Sequence, residues 1–211
     1  MRRKMRCMNH LPSLLAYLRE NIGTTLTPSM AQDIALLSMP ERLQINTAQI
    51  EPFEHGAGVT FRHERMQNVI DDIRPLHMAH WKETEGYRHA LECRPDYDAF
   101  IRDERSGRFL LFTARETDTG RMIGNCAIYL HRSRHSGDIV ATEDTIFVIP
   151  EWRKGRLAID LFRYGEQAAR QMGAVEARVS VKSEKVARLW RRLGYVDAGI
   201  GMSKILKETN Q

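Results

Sequence analysis

No two cysteines in this chain stand at Cys-x-x-Cys spacing, and the three present, Cys7, Cys93 and Cys126, are far apart. An odd, scattered set argues against a disulfide framework or a zinc ribbon and points to a reducing compartment. The chain also lacks any apolar run near the ~20 residues that span a bilayer, so no membrane partner is expected. Its basic start, Met1–Arg6, carries the charge of an export signal without the rest of one. Pro12 and Ser13 interrupt the leucines that follow, Arg19-Glu20 ends them, and no small-residue cleavage site comes after. The expected location is cytoplasmic. Internal repeats and low-complexity tracts are missing too.

What is present fits a soluble globular protein. The 211 residues suffice for one domain with a full core plus a small extension. The hydrophobic share is 42% and the charged share 28%, which is ordinary for a folded chain. The formal net charge of +5 favours an anionic partner without saying which. Nucleic acid, an anionic membrane surface and a phosphorylated cofactor all fit the charge, as does a merely basic surface.

Leu11, Leu14, Leu15, Leu18 and Ile22 recur at helical spacing. Thr27-Pro28 reads as a cap and first turn of a second helix, which Pro40 should end. Residues 1–50 are therefore expected to form a helical extension and connector, and 51–211 the main domain. Thr60–Arg62 is a strand candidate. Met66, Val69, Ile70 and Ile73 mark a helix that Pro75 should break or kink, with His77, His80, Trp81 and Thr84 on one face beyond it. Segments 108–114 and 122–130 read as a hairpin. Asp144–Ile149 is a continuous apolar strand, typical of one buried on both faces. A helix over 157–172 follows, then a strand over 177–181, a basic helix over 186–193, and one or two strands within 195–206. The class is α/β (α+β) with a mixed sheet built on a βαβ unit.

The junction Val148-Ile-Pro-Glu-Trp-Arg-Lys-Gly-Arg-Leu-Ala158 is the most informative stretch. A buried strand ends, a turn follows and a helix begins. Unpaired N–H groups and the positive end of the helix dipole favour bound phosphate there. Arg153, Lys154 and Arg156 add charge, and Gly155 permits close backbone approach. Taken alone, such a basic turn is also what an ordinary surface offers. Similarly, His77-x-x-His80 with Glu83 lacks the His-Glu-x-x-His spacing and a third ligand, so no metal site is read from it.

This junction, together with Met172-Gly-Ala174 and Ser183-Glu-Lys-Val-Ala-Arg-Leu-Trp-Arg-Arg-Leu-Gly-Tyr195, resembles the GNAT superfamily of acyl-CoA N-acyltransferases from about residue 60 to 206. The resemblance implies a mixed sheet splayed around a central strand and flanked by helices, with acetyl-CoA as co-substrate in the splay. Pantetheine would pair with backbone at Phe147, Val148 and Ile149, whose N–H groups would also stabilise the oxyanion. The pyrophosphate would sit on Arg153, Lys154, Gly155, Arg156, Leu157 and Ala158, with Ser183 nearby. Two positions depart from the pattern: Arg156 replaces a glycine, and Trp190 replaces a tyrosine that often protonates the leaving thiolate. Indole cannot act as that acid. Glu143 and Asp144, placed at the entrance of the central strand, are the candidate general bases. A looser likeness, carried by His80-Trp81-x-Glu83, Phe112–Arg115, Ile123-Gly124 and His131–His135, is to a GNAT subgroup common in tailed-phage genomes. It nominates His80, Glu83 and His135 on the acceptor side, and would place the protein in the host cytoplasm.

Three functions stay open at this point. The first is an N-acetyltransferase acting in a ternary complex on a small-molecule or protein amine, with a homodimer among its arrangements. The second is a GNAT-fold enzyme that modifies nucleic-acid bases. The third is a non-catalytic binding protein of the same fold.

Overall fold

The computed structural model describes residues 10–38, 43, 45–86, 92–153 and 155–202. Helices α1 (His10–Glu20) and α2 (Pro28–Ser38) pack on each other. The Tyr17 hydroxyl donates to Asp33 at 3.0 Å, and Thr27 Oγ1 caps α2 by accepting from Met30 N. The stop expected at Pro40 lies outside the described residues, as do Cys7 and Lys154.

The main body follows as β1 (Phe53–Gly56), β2 (Val59–His63), α3 (Met66–Thr84), α4 (Tyr97–Arg105), β3 (Phe109–Glu116), β4 (Met122–Arg132), β5 (Ile139–Val148), α5 (Leu157–Gln171), β6 (Ala174–Arg178) and α6 (Glu184–Arg192). The six strands form one sheet in the order β1-β2-β3-β4-β5-β6. Every pairing is antiparallel except β5 with β6. That parallel pair is joined through α5, the βαβ unit expected from the sequence.

Alternation along the strands sorts side chains to two faces. Leu110, Phe112, Ile123, Ile128 and Leu130 meet Leu157, Leu161, Phe162, Ala168 and Ala169 of α5. Phe109, Leu111, Ala127 and Phe147 meet Met66, Val69, Ile73 and Leu76 of α3. Gly165 lets α5 approach the sheet, since a Cβ there would stand 2.9 Å from Phe112 and 3.0 Å from Ile128.

Several expectations need correction. Helix α3 runs through Pro75 to Thr84. The proline forfeits one backbone bond, but the helix buries Met66, Val69, Ile73 and Leu76 on both sides of it. Helix α4 went unread because it buries no residue completely; its signal is the cap, Asp96 accepting from Ala99 N at 2.9 Å. The central strand begins at Ile139, so Glu143 and Asp144 lie inside it rather than at its entrance. Strand β6 precedes the expected 177–181 by three residues at each end. Residues 195–202 form no strand, and 203–206 lie outside the described residues.

Gly165→Ala should destabilise the protein by about 1–3 kcal/mol, because overpacking against a fully buried ring outweighs the better helix propensity of alanine. Urea denaturation of the variant measures this directly.

Candidate active site

Strands β5 and β6 stay paired only from Ile139↔Ala174 to Thr142↔Arg178. Beyond that point β5 continues alongside β4 as far as Gly124↔Val148, while β6 ends and the chain leaves for α6. The split coincides with a bulge. Ile128 faces Glu143 and Ala127 faces Thr145, so Asp144 is the extra residue. A bulge increases local twist and bends its strand, which turns β5 away from β6.

The open edge of β5 can be assigned group by group. Ile149 N–H donates across to Ile123 O at 2.9 Å. By strand alternation Phe147 spends its backbone groups on β4, and those of Ile146 and Val148 point into the split; the Ile149 carbonyl accepts from Trp152 N at 3.0 Å. The expected trio Phe147, Val148 and Ile149 is thus corrected: only Val148 of the three offers its backbone there, and Ile146 joins it. The Phe147 ring turns instead to the α3 face, 5.7 Å from the His80 ring.

Glu143 sits at the fork. Its carboxylate accepts from Ser180 N at 3.2 Å, giving the first unpaired stretch after β6 the partner that the ladder no longer supplies. Burial, only partly offset by the Ser180 bond and reinforced by Asp144, raises its pKa to about 7. Asp144 is raised too, chiefly by burial, and bonds Thr145. It keeps more exposure than Glu143, so Glu143 is the better-placed proton acceptor. Burial, followed by the charges of Lys182 and Arg153, lowers the pKa of His80, which leaves it a neutral imidazole at neutral pH. His77 falls to about 4 through burial and stacks on Tyr97, which makes it a packing residue between α3 and α4. No metal-holding group of His, Cys, Asp or Glu occurs among the described residues.

Downstream of β5, a short 3-10 turn at Pro150–Trp152 leads to Gly155, whose φ of +72° is a conformation glycine adopts freely. Arg156 is the N-cap of α5 and provides no side-chain cap. The N–H groups of Leu157 and Ala158 therefore have no intrahelical acceptor. The Arg156 side chain lies along the helix toward Asp160, at 3.7 Å.

Arg153 behaves differently from expectation. Its Nε donates to Val148 O at 2.7 Å, and its two terminal nitrogens grip both carboxylate oxygens of Glu83 at 2.7 and 2.6 Å. The Arg153 contact holds the Glu83 carboxyl below its usual range. Lys182, beyond β6, pairs with Glu85.

The remaining candidates are placed elsewhere. His135 is exposed in the β4–β5 turn, at the far end of that hairpin from Val148. Ser183 caps α6 by accepting from Val186 N at 3.3 Å. Trp190 is buried edge-on against Phe162 and Tyr195, a core residue. Arg191 of the basic helix is engaged with Glu184 and Asp197. The roles of Ser180, Lys182 and Glu85 gave no signal in the sequence, since each depends on a partner distant in the chain.

A concavity of about 1110 Å³ opens at the other end of α3, beside Arg65, Gln67 and α4. Its arginines are largely matched internally, Arg108 with Asp103 and Arg105 with Gln67. The fork is the candidate site: an open strand edge with a raised carboxylate at its base, followed in the chain by the start of α5.

Comparison with known proteins agrees with the fold. The model of the acetyltransferase (GNAT) family matches residues 70–195. The chain belongs to that family. Solved structures share the fold at low identity. An aminoglycoside acetyltransferase from an uncultured soil metagenomic sample, solved with trehalose, aligns with TM-score 0.58 and 14% identity over 73% of this chain and 100% of its own. A possible acetyltransferase from Clostridium difficile 630 gives 0.57 and 18% over 72% and 99%. A probable acetyltransferase gives 0.55 and 20% over 72% and 99%. No curated protein matches the chain. The GNAT family's use of acetyl-CoA suits the fork, and no described helix is long and apolar enough to cross a membrane.

Unfolded, Glu143 ionises near 4.5, whereas folded it holds its proton to about 7. Native stability should therefore fall as pH rises through that window and stay lowered above it. Glu143→Gln, whose amide oxygen can still accept from Ser180, should gain about 1–2 kcal/mol at about pH 8 and nothing near pH 4. Paired urea titrations at the two pH values check the sign.

Proposed function

We propose that this GNAT-family protein is an N-acetyltransferase that moves an acetyl group from acetyl-CoA directly to an amine within a ternary complex. The observation that carries the reading is Glu143, a carboxyl raised to about 7 at the point where β5 and β6 part.

The residues divide the work as follows. The α5 start, with Gly155, Arg156, Leu157 and Ala158, receives the pyrophosphate through free N–H groups, the helix dipole and the Arg156 charge. Lys154 would add to that charge but lies outside the described residues. The edge of β5 at Ile146 and Val148 pairs with the pantetheine amides. An N–H of that edge stabilises the oxygen that becomes negative when the amine adds to the thioester carbon. As the C–N bond forms, the amine proton passes to the Glu143 carboxylate. The C–S bond then breaks and the thiolate takes a proton from water, since buried Trp190 offers no acid. Asp144 and His80 line the approach as supporting groups. His135 and Ser183 are weaker candidates on their placement.

The same reading places the catalytic domain at 51–211 with residues 1–50 as an extension, and the protein in the cytoplasm. A looser likeness by motif is to the GNAT subgroup found in tailed-phage genomes. The acceptor is an amine of a small molecule or protein. Internal pairing of Arg191 leaves less free charge on α6 for nucleic acid, and the packing of Trp190 removes one motive for a non-catalytic reading.

Two measurements test this. Acetyl-CoA at about one hundred times its Kd should stabilise the protein by about 2.7 kcal/mol, and thiol release should appear with a panel of amines; absence of both sinks the proposal. Arg156→Ala should weaken acetyl-CoA binding about fivefold, an effect that shrinks with added salt. In the active system kcat should drop as pH falls below about 7, where Glu143 regains its proton, and Glu143→Gln should lower kcat by roughly two orders of magnitude or more.

A further inference from the structure

The side chain of Arg153 stands where a ligand strand would lie. An extended ligand that hydrogen-bonds to the open edge of β5 must run about 4.8 Å from it. Arg153 Nε is 2.7 Å from Val148 O, so the guanidinium fills that track and uses the carbonyl that faces the fork. Its position is fixed three ways: by Val148 O, by the two-pronged pair with Glu83, and by stacking over the Phe147 ring at 5.1 Å. Glu85, one half-turn on from Glu83, reaches Lys182 on the opposite side. The end of α3 is thereby tied to both lips of the fork.

We propose that Arg153 is a gate: clamped by Glu83 it blocks the β5 edge at Val148, and acyl-CoA enters only when the guanidinium leaves Val148 O and turns toward the adjoining phosphate cradle. The inference rests on the fork being the acyl-CoA site. It differs from a simple phosphate-binding role in the sign it gives to loss of the clamp. If Arg153 were only a phosphate ligand, Glu83 would be a bystander or a helper that positions it. As a gate, Arg153 is held back by Glu83, and weakening that hold favours the ligand. Both side chains retain considerable exposure, 37% for Arg153 and 50% for Glu83, so the clamp is weak enough for a ligand to open.

The test is calorimetric titration of coenzyme A into the full-length wild-type protein, Glu83→Gln, Arg153→Ala and the double variant. The expected result is that Glu83→Gln binds about fivefold more tightly, the factor that about 1 kcal/mol supplies. Substituting Glu83 in the Arg153→Ala background should then change nothing, because no clamp remains to release. Unchanged or weaker binding by Glu83→Gln overturns the gate while leaving the acyl-CoA site in place. Coenzyme A binding to none of the four proteins overturns the acyl-CoA reading and the gate with it.

Discussion

The parting of β5 from β6 is the constraint on which the site depends. A parallel ladder that closed along its full length would satisfy Ile146 and Val148 and leave nothing for a ligand. Here it stops after Thr142↔Arg178, two residues before the bulge at Asp144. The bulge redirects β5, and the carboxylate of Glu143 takes over Ser180 N–H, so the break costs no unpaired donor at that point. Burial at the fork raises the proton affinity of Glu143, and the Ser180 bond offsets that rise only in part. Structural repair and chemical activation thus come from one side chain.

Around the fork the two cores act as fixed walls. Helix α5 is held to the sheet by a close approach at Gly165, which sets where its N-terminus points. Helix α3 is anchored by Met66, Val69, Ile73 and Leu76 and extends past Pro75 so that His80, Glu83 and Glu85 arrive over the opening. Its last turn is the part least supported by apolar packing and most supported by ion pairs. Such pairs yield to a charged ligand far more readily than a buried apolar face does.

Part of this was legible in the chain itself. The continuous apolar run before Pro150, the glycine-containing turn and the periodic helix after it marked the βαβ unit and the junction proposed as the phosphate cradle. Strand and helix ends were less legible. The entrance of β5 was misjudged because the charged pair Glu143-Asp144 separates its two apolar runs, 139–141 and 146–148. Helix α4 was missed because it has no fully buried residue to create a period. Trp190 stood out as a departure at a catalytic position, and its packing against Phe162 explains it as core.

The sequence by itself determined the fold class, the order of elements about the junction, and the identity of the charged residues near it, because these follow from local periodicity and from motifs read in order along the chain. Tertiary structure alone decided what those residues do. Arg153 and Arg156 carry the same charge three positions apart, yet one lies along its own helix toward Asp160 and the other spans to Glu83, 70 residues earlier. Likewise Glu143 and Asp144 are adjacent carboxylates separated in role by a bulge. The physical reason is that side-chain partners and desolvation are set by distant segments brought together, which no local pattern encodes.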